Sequence, residues 1–217
     1  LVALAGRMLT PPPAVVGTNP RGTLAGMFQV MTEPGPLRVA AVFAMLVLMG
    51  LGTNTVFPAW YALQHGVTLG AASGVIGLAN LTMVAGGVLA AVLLARGLTH
   101  RAIFAALALT GVLAAASMFW PTIAVAPRVV ALVAWFVVSG ACIAATTAML
   151  PRVVQSPQQG AAAAGLLSQL AAATSFATPL VWAPLLAGGH WTGFLAVIAV
   201  ATLVGVALFP GARHEAR

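Results

Sequence analysis

The residues Ala95-Arg96-Gly97-Leu98-Thr99-His100-Arg101 form a basic turn between two long uncharged runs, Ala71 to Leu94 and Ala102 to Trp120. Each run is about the 20 residues that an α-helix needs to cross a bilayer core, so two spans meet at this turn. An arginine at mid-span costs roughly 2.5–3.5 kcal/mol on insertion scales, which places the turn outside the hydrocarbon. Retention of Lys and Arg on the inner side makes it a cytoplasmic loop by expectation.

The same pattern recurs. Apolar runs extend over Val39 to Leu63, Ala71 to Leu94, Ala102 to Trp120, Val129 to Leu150, Gly160 to Leu186 and Trp191 to Phe209, with short turns between them. Numbered one to six, these runs divide the arginines unevenly. Arg7, Arg21 and Arg38 precede span one, Arg96 and Arg101 separate two from three, Arg152 separates four from five, and Arg213 and Arg217 follow six. All of these fall on one side, and the opposite side receives Arg128 alone. Six spans with both ends cytoplasmic are therefore expected, in the cell (inner) membrane. Trp60, Trp120 and Trp191 fall at the expected outer ends, where amphipathic rings favour the interface.

Composition agrees with this reading and excludes others. Hydrophobic residues make up 61% of the chain and charged ones 5%, with a mean hydropathy of +1.07; soluble domains carry about a quarter charged residues. An all-α integral membrane protein is expected. The net charge of +7 comes from arginines scattered singly at the ends of apolar runs. Nucleic-acid binding would need a basic face with interleaved aromatics, so no nucleic-acid partner is expected. The lone Cys142 lies mid-run and can form no intramolecular disulfide.

Before span one the character changes. Leu1 to Arg7 followed by Pro11-Pro12-Pro13 reads as the end of a preceding helix, and the chain as part of a longer one. Residues 1–38 are then that helix end plus a cytoplasmic linker, 39–209 the six-span domain and 210–217 a cytoplasmic tail. Leu24, Met27, Phe28 and Met31 recur at helical spacing, as in a short amphipathic helix on the membrane surface; a disordered linker is the alternative.

Polar residues concentrate in spans one, two, four and five. Residues at i, i+3, i+4 and i+7 share a helix face, which aligns Gly50, Asn54, Pro58, Tyr61 and His65 in span one, and Ser73, Gly77, Asn80 and Gly87 in span two. Span four aligns Trp135, Ser139, Cys142 and Thr146; span five aligns Ser168, Ser175, Pro179 and Trp182, with Gln169 at the edge. A polar group in hydrocarbon needs a partner or water, so these four spans are expected to line something wet. Plain helix packing is the competing explanation, as Ser, Thr and Gly are common wherever membrane helices touch. Gly66, Gly70 and Gly74 form a small-xxx-small series that signals close packing, and Pro58, Pro179 and Pro184 are expected to kink their helices.

No Asp, Glu, Lys, Arg or His lies deep within any run. That leaves no metal cluster, no carboxylate pair and no nucleophile with its base, so neither cofactor, metal nor enzymatic activity is expected. His65, His100 and His190 fall at ends or turns, as interface residues do.

Linker, topology and polar-poor third and sixth spans together resemble the C-terminal half of a major facilitator superfamily transporter. The basic turn stands where that family places a Gly-x-x-x-Asp-Arg-x-Gly-Arg-like loop; Arg96, Gly97 and Arg101 remain, and the acidic residue is absent. The resemblance implies six helices in two inverted three-helix repeats, completed by an N-terminal six-helix half of the same protein. It implies transport of a small solute by alternating access. Asn54, Asn80, Thr146, Ser168, Gln169 and Ser175 would be the polar contacts, with Tyr61, Trp135 and Trp182 as walls or gates. A cavity without fixed charge fits a neutral or amphipathic solute. The alternatives are a non-transporting scaffold or assembly subunit and an integral membrane enzyme.

Overall fold

The structure is a computed structural model that describes residue 28 and residues 30–211. The expected helix end near Arg7, the linker through residue 27 and the tail from residue 212, with Arg213 and Arg217, lie outside the described residues. Among the described residues, Phe28 and residues 30–32 are helical, where the amphipathic helix was expected, and seven α-helices follow in order: α1 (Pro34–His65), α2 (Leu69–Asn80), α3 (Met83–Ala95), α4 (His100–Phe119), α5 (Val125–Val153), α6 (Pro157–Ala187) and α7 (Trp191–Leu208). They make six segments long and apolar enough to cross a membrane, α2 and α3 jointly forming the second. The chain is therefore a multi-pass, all-helical membrane protein among its described residues.

Helix starts follow local chemistry. α1 begins at Pro34 and not at Val39, because proline lacks an N–H that the first turn could not use and already holds a helical φ. Thr68, Thr99 and Ser156 cap α2, α4 and α6, their hydroxyl oxygens each accepting from a backbone N–H three residues on, at 3.2 Å. The basic turn closes with Gly97 at φ 83°, a left-handed conformation that a Cβ would strain. At the same end, Gln159 Nε2 donates to Glu33 Oε1 at 2.8 Å, tying the approach to α1 onto the start of α6. The prolines Pro58, Pro179 and Pro184 lie inside α1 and α6 without ending either helix.

Packing is organised around α1 and α5, the two most enclosed helices; α6 is the most open. α1 lies chiefly against α6 and also against α7, while α5 lies against α3 and α4; α1 touches α5, and α4 touches α7. Lipid tails are as apolar as leucine, so such contacts depend on close fit and not on hydrophobic burial. The fit is made by glycines. A Cβ on Gly86 would land on the Val137 carbonyl oxygen, one on Gly140 on the Met83 carbonyl, and one on Gly52 inside the Trp182 ring. The expected small-xxx-small series does not take this role: Gly66, Gly70 and Gly74 have open space where a Cβ would stand. Gly66, at φ 64°, ends α1 before α2 begins at Leu69, so the three share no helix face.

Gly86→Leu and Gly140→Leu should each lower the thermal unfolding midpoint in detergent, by an overpacking cost of about 1–3 kcal/mol or more. Gly74→Leu should leave it nearly unchanged. Circular dichroism melts of the three variants check this, and equal losses in all three would refute the crossing as the seat of stability.

Candidate functional site

The second span tightens at its middle without leaving the helical region. Between α2 and α3 the chain turns at Asn80-Leu81-Thr82, close to the midpoint of the Leu69–Ala95 span. There the backbone tightens to three-residue hydrogen bonds, Leu81 N to Leu78 O at 3.2 Å and Thr82 N to Ala79 O at 3.0 Å. In hydrocarbon every backbone group must be satisfied locally. Two side chains add bonds at this turn to those of the backbone. Thr82 Oγ1 donates to Ala79 O at 2.6 Å and approaches Val133 O of α5 at 3.4 Å. Asn80 Nδ2 donates to Ile76 O at 3.1 Å and to Asn54 Oδ1 of α1 at 2.6 Å.

Asn54 completes the chain of bonds, its Nδ2 donating to Gly50 O at 2.9 Å. Both asparagines are half-buried, and no side chain stands where a Cβ on Gly50 would go. The face of α1 bearing Gly50, Leu51, Asn54 and Thr55 is thus partly open, between α2 on one side and α6 on the other. On α6, Ser168, Gln169 and Ser175 are exposed, beside Phe176 and Leu180. Ser168 and Ser175 satisfy their hydroxyls on the carbonyls of Ala164 and Ala171 in their own helix, at 3.1 and 2.8 Å. The Gln169 amide has no such bond among the described residues.

The remaining residues singled out in the sequence point elsewhere. Trp135 and Thr146 are buried within the bundle; Thr146 Oγ1 donates to Cys142 O at 2.7 Å. Trp135 and Cys142 border a cavity of about 20 Å³ between α1, α4, α5 and α7, whose wall is nearly all apolar. Trp182 is buried over Gly52 and stacks on Phe194 at 5.9 Å. Tyr61 is buried, stacked on Phe57 at 5.3 Å with His65 at 4.6 Å. So the structure joins Asn54 to Asn80, sets the α6 residues on an open face, and encloses Trp135, Thr146, Trp182 and Tyr61 among their own neighbours.

Two features were not legible in the sequence. One is the tightened turn of the second span, whose sole signal was the polar pair Asn80 and Thr82 flanking Leu81. The other is Arg128, which sequence reading treated as a topology marker. Its side chain is fully buried at the end of the bundle opposite Arg96 and Arg101, where Trp60, Trp120 and Trp191 also gather. Arg96 and Arg101 themselves are exposed, as a turn outside the hydrocarbon requires.

These features define a polytopic helical membrane protein with a tightened turn in its second span and a polar open face. No protein-family model matches the chain, and no curated protein matches it significantly in sequence.

The Asn54–Asn80 bond should behave as a coupled pair. Asn54→Ala and Asn80→Ala should each destabilise the folded state by about 0.5–2 kcal/mol, the range seen for polar contacts between membrane helices. The double variant should lose less than the sum. Reversible unfolding in mixed micelles measures all three, and strict additivity would show that the pair is not energetically joined.

Proposed function

We propose that the chain is the cavity-lining half of a secondary transporter of the major facilitator type, moving a small neutral or amphipathic solute by alternating access. The observation that carries this reading is the open Gln169 amide at mid-span. An amide left in hydrocarbon costs several kcal/mol, so Gln169 is expected to face water, solute or a further helix. The Asn54–Asn80 pair also stands in the middle of its span, at the tightened turn of the second helix, and transporter sites lie near the bilayer midplane.

The packing supports the repeat. Exchanging spans one, two and three with four, five and six turns the pairing of α1 with α6 into that of α5 with α3, and the pairing of α1 with α7 into that of α5 with α4. The contacts of α1 with α5 and of α4 with α7 map onto themselves. A repeat of three spans is necessarily inverted across the membrane. Spans two and five, the least enclosed, would then meet a second six-helix half, while α4 and α7, with Leu109, Leu113 and Leu203 exposed, would face lipid. Asn54, Asn80, Ser168, Gln169 and Ser175 would contact the solute. Tyr61, Trp135, Trp182 and Thr146 would act from behind, holding the helices that carry the contacts. The Arg96–Arg101 turn, with its exposed arginines, would be cytoplasmic and the Arg128 end external.

Thiol labelling tests both wetness and topology in a Cys142→Ser background. Single cysteines at Gln169 and Ser175 should react with a water-soluble maleimide, whereas cysteines at Leu113 and Leu203 should not. In intact cells an impermeant reagent should reach a cysteine at Ile123 and not one at Leu98. Labelling of Leu98 alone would invert the topology, and inert Gln169 and Ser175 cysteines would remove the cavity. With the full-length protein in vesicles, alkylation at Gln169 should block solute flux. A scaffold would show the same labelling with no flux to block.

A further inference from the structure

Arg128 is a fully buried cation in a chain that has only two acidic residues, Glu33 and Glu215, against its nine arginines. Its partners are carbonyls, a ring face and an imidazole. Nη2 donates to Trp120 O and Ile123 O, both at 2.8 Å, with Pro121 O at 3.4 Å. The guanidinium carbon lies 4.5 Å from the centre of the Trp60 ring. Nη1 stands 2.7 Å from His65 Nε2. One side chain on the first turn of α5 thus binds the turn that follows α4 and the last residue of α1.

A guanidinium can only donate, so His65 Nε2 must accept. The imidazole in this arrangement is neutral, with its proton on Nδ1. A proton on Nε2 would remove the acceptor and set two cations at hydrogen-bond distance in a half-buried place. Little else near it would offset that charge. Tyr61, from its own helix, lies 4.6 Å from the imidazole; α2, α3, α6 and α7 contain no acidic or basic residue, and His100 and Arg101 of α4 belong to the opposite end. The other titratable group at this end is His190, ahead of α7.

We propose that His65 and Arg128 form a proton-sensitive latch that holds the end of α1 to the α4–α5 turn while His65 is neutral and releases it on protonation. The sign follows from linkage. The closed latch binds one proton fewer than the released one, so closure gains with rising pH. It is complete above the ordinary imidazole value of about 6.5 and is lost as pH falls below it, by at most about tenfold in the closed-to-open ratio per unit. In the transport reading this is the outer mouth. The latch stands without that reading, and its test measures no flux.

The test uses the full chain in lipid nanodiscs, with Cys142→Ser and spin labels on cysteines at the exposed positions Leu63 and Thr122. Double electron–electron resonance should give a short, narrow separation at pH 8 and, at pH 5, a longer population increased several-fold. His65→Gln, whose amide oxygen can still accept from Arg128, should stay short at both values, and His190→Gln should respond like the parent. A parent separation unchanged between pH 8 and pH 5, or a response that survives in His65→Gln, overturns the latch. A second measurement needs no folded double variant. Nitrogen-15 resonances of labelled histidine at pH 8 should show His65 with its proton on Nδ1, assigned by the signal lost in His65→Gln or His65→Asn. A proton on Nε2 at that pH overturns the proposal equally.

Discussion

Hydrocarbon offers no hydrogen bond to a backbone, and that one constraint governs the molecule more than any pair of side chains. Each span must close its own ladder of N–H and C=O groups, which is why the described residues are helical and the loops between spans short. The same constraint gives the exception its weight. At Asn80–Thr82 the ladder tightens to three-residue bonds in mid-span, and the Thr82 hydroxyl and the Asn80 amide add bonds to the Ala79 and Ile76 carbonyls. Serine and threonine elsewhere, such as Thr146, Thr174 and Thr178, bond back to a carbonyl four residues earlier and leave their helices intact. An amide with a partner on another helix allows more, because the bond from Asn80 to Asn54 fixes where α2 ends relative to α1.

Given satisfied backbones, what remains to hold helices together is contact distance. Gly86 and Gly140 let α3 and α5 approach until each helix meets backbone of the other, and Gly52 lets the Trp182 ring lie flat on α1. Such crossings need no polar atom. They leave the asparagines, Gln169 and the α6 serines free of structural duty at the main crossings, so that the polar groups stand instead on the faces that the crossings leave open.

Span number and order were legible in the sequence because the signal there is one-dimensional: about 20 uncharged residues, then a turn. Which way each span faces was much less legible. A helix that is apolar all round has no strong amphipathic stripe to orient it, so Gly66, Gly70 and Gly74 looked like a packing face when the packing glycines were Gly52, Gly86 and Gly140. The same limit applied to the aromatics, since Trp135 and Trp182 share stripes with polar residues yet lie enclosed. Asn54 and Asn80 were identifiable because a buried amide is costly and therefore conspicuous; their bond spans 26 residues of sequence and stands at the tightened turn, which no proline or glycine at that place announces. Arg128 shows the opposite failure. Its end of the bundle could be read from the alternation of spans, but its burial came from carbonyls of a loop that the sequence showed only as a turn.

The two polar clusters of the open face differ in a way that bears on how a site there would work. Ser168 and Gln169 stand about as far from the start of α6 as Asn80 does from the start of α2. Yet α6 runs on as one regular helix where the second span tightens. The difference lies in the partners. Asn80 donates both to Asn54 of α1 and to the Ile76 carbonyl of its own helix, so its amide nitrogen is committed to the fold. Ser168 bonds within its own helix, and Gln169 beside it is the amide with no such bond among the described residues. In the transport reading, a solute at this depth would replace water at Gln169 at little structural cost, whereas one that took the Asn80 amide nitrogen would displace the 2.6 Å hydrogen bond that joins α1 to α2. Binding there would act on the helix contact, and binding at Gln169 would not.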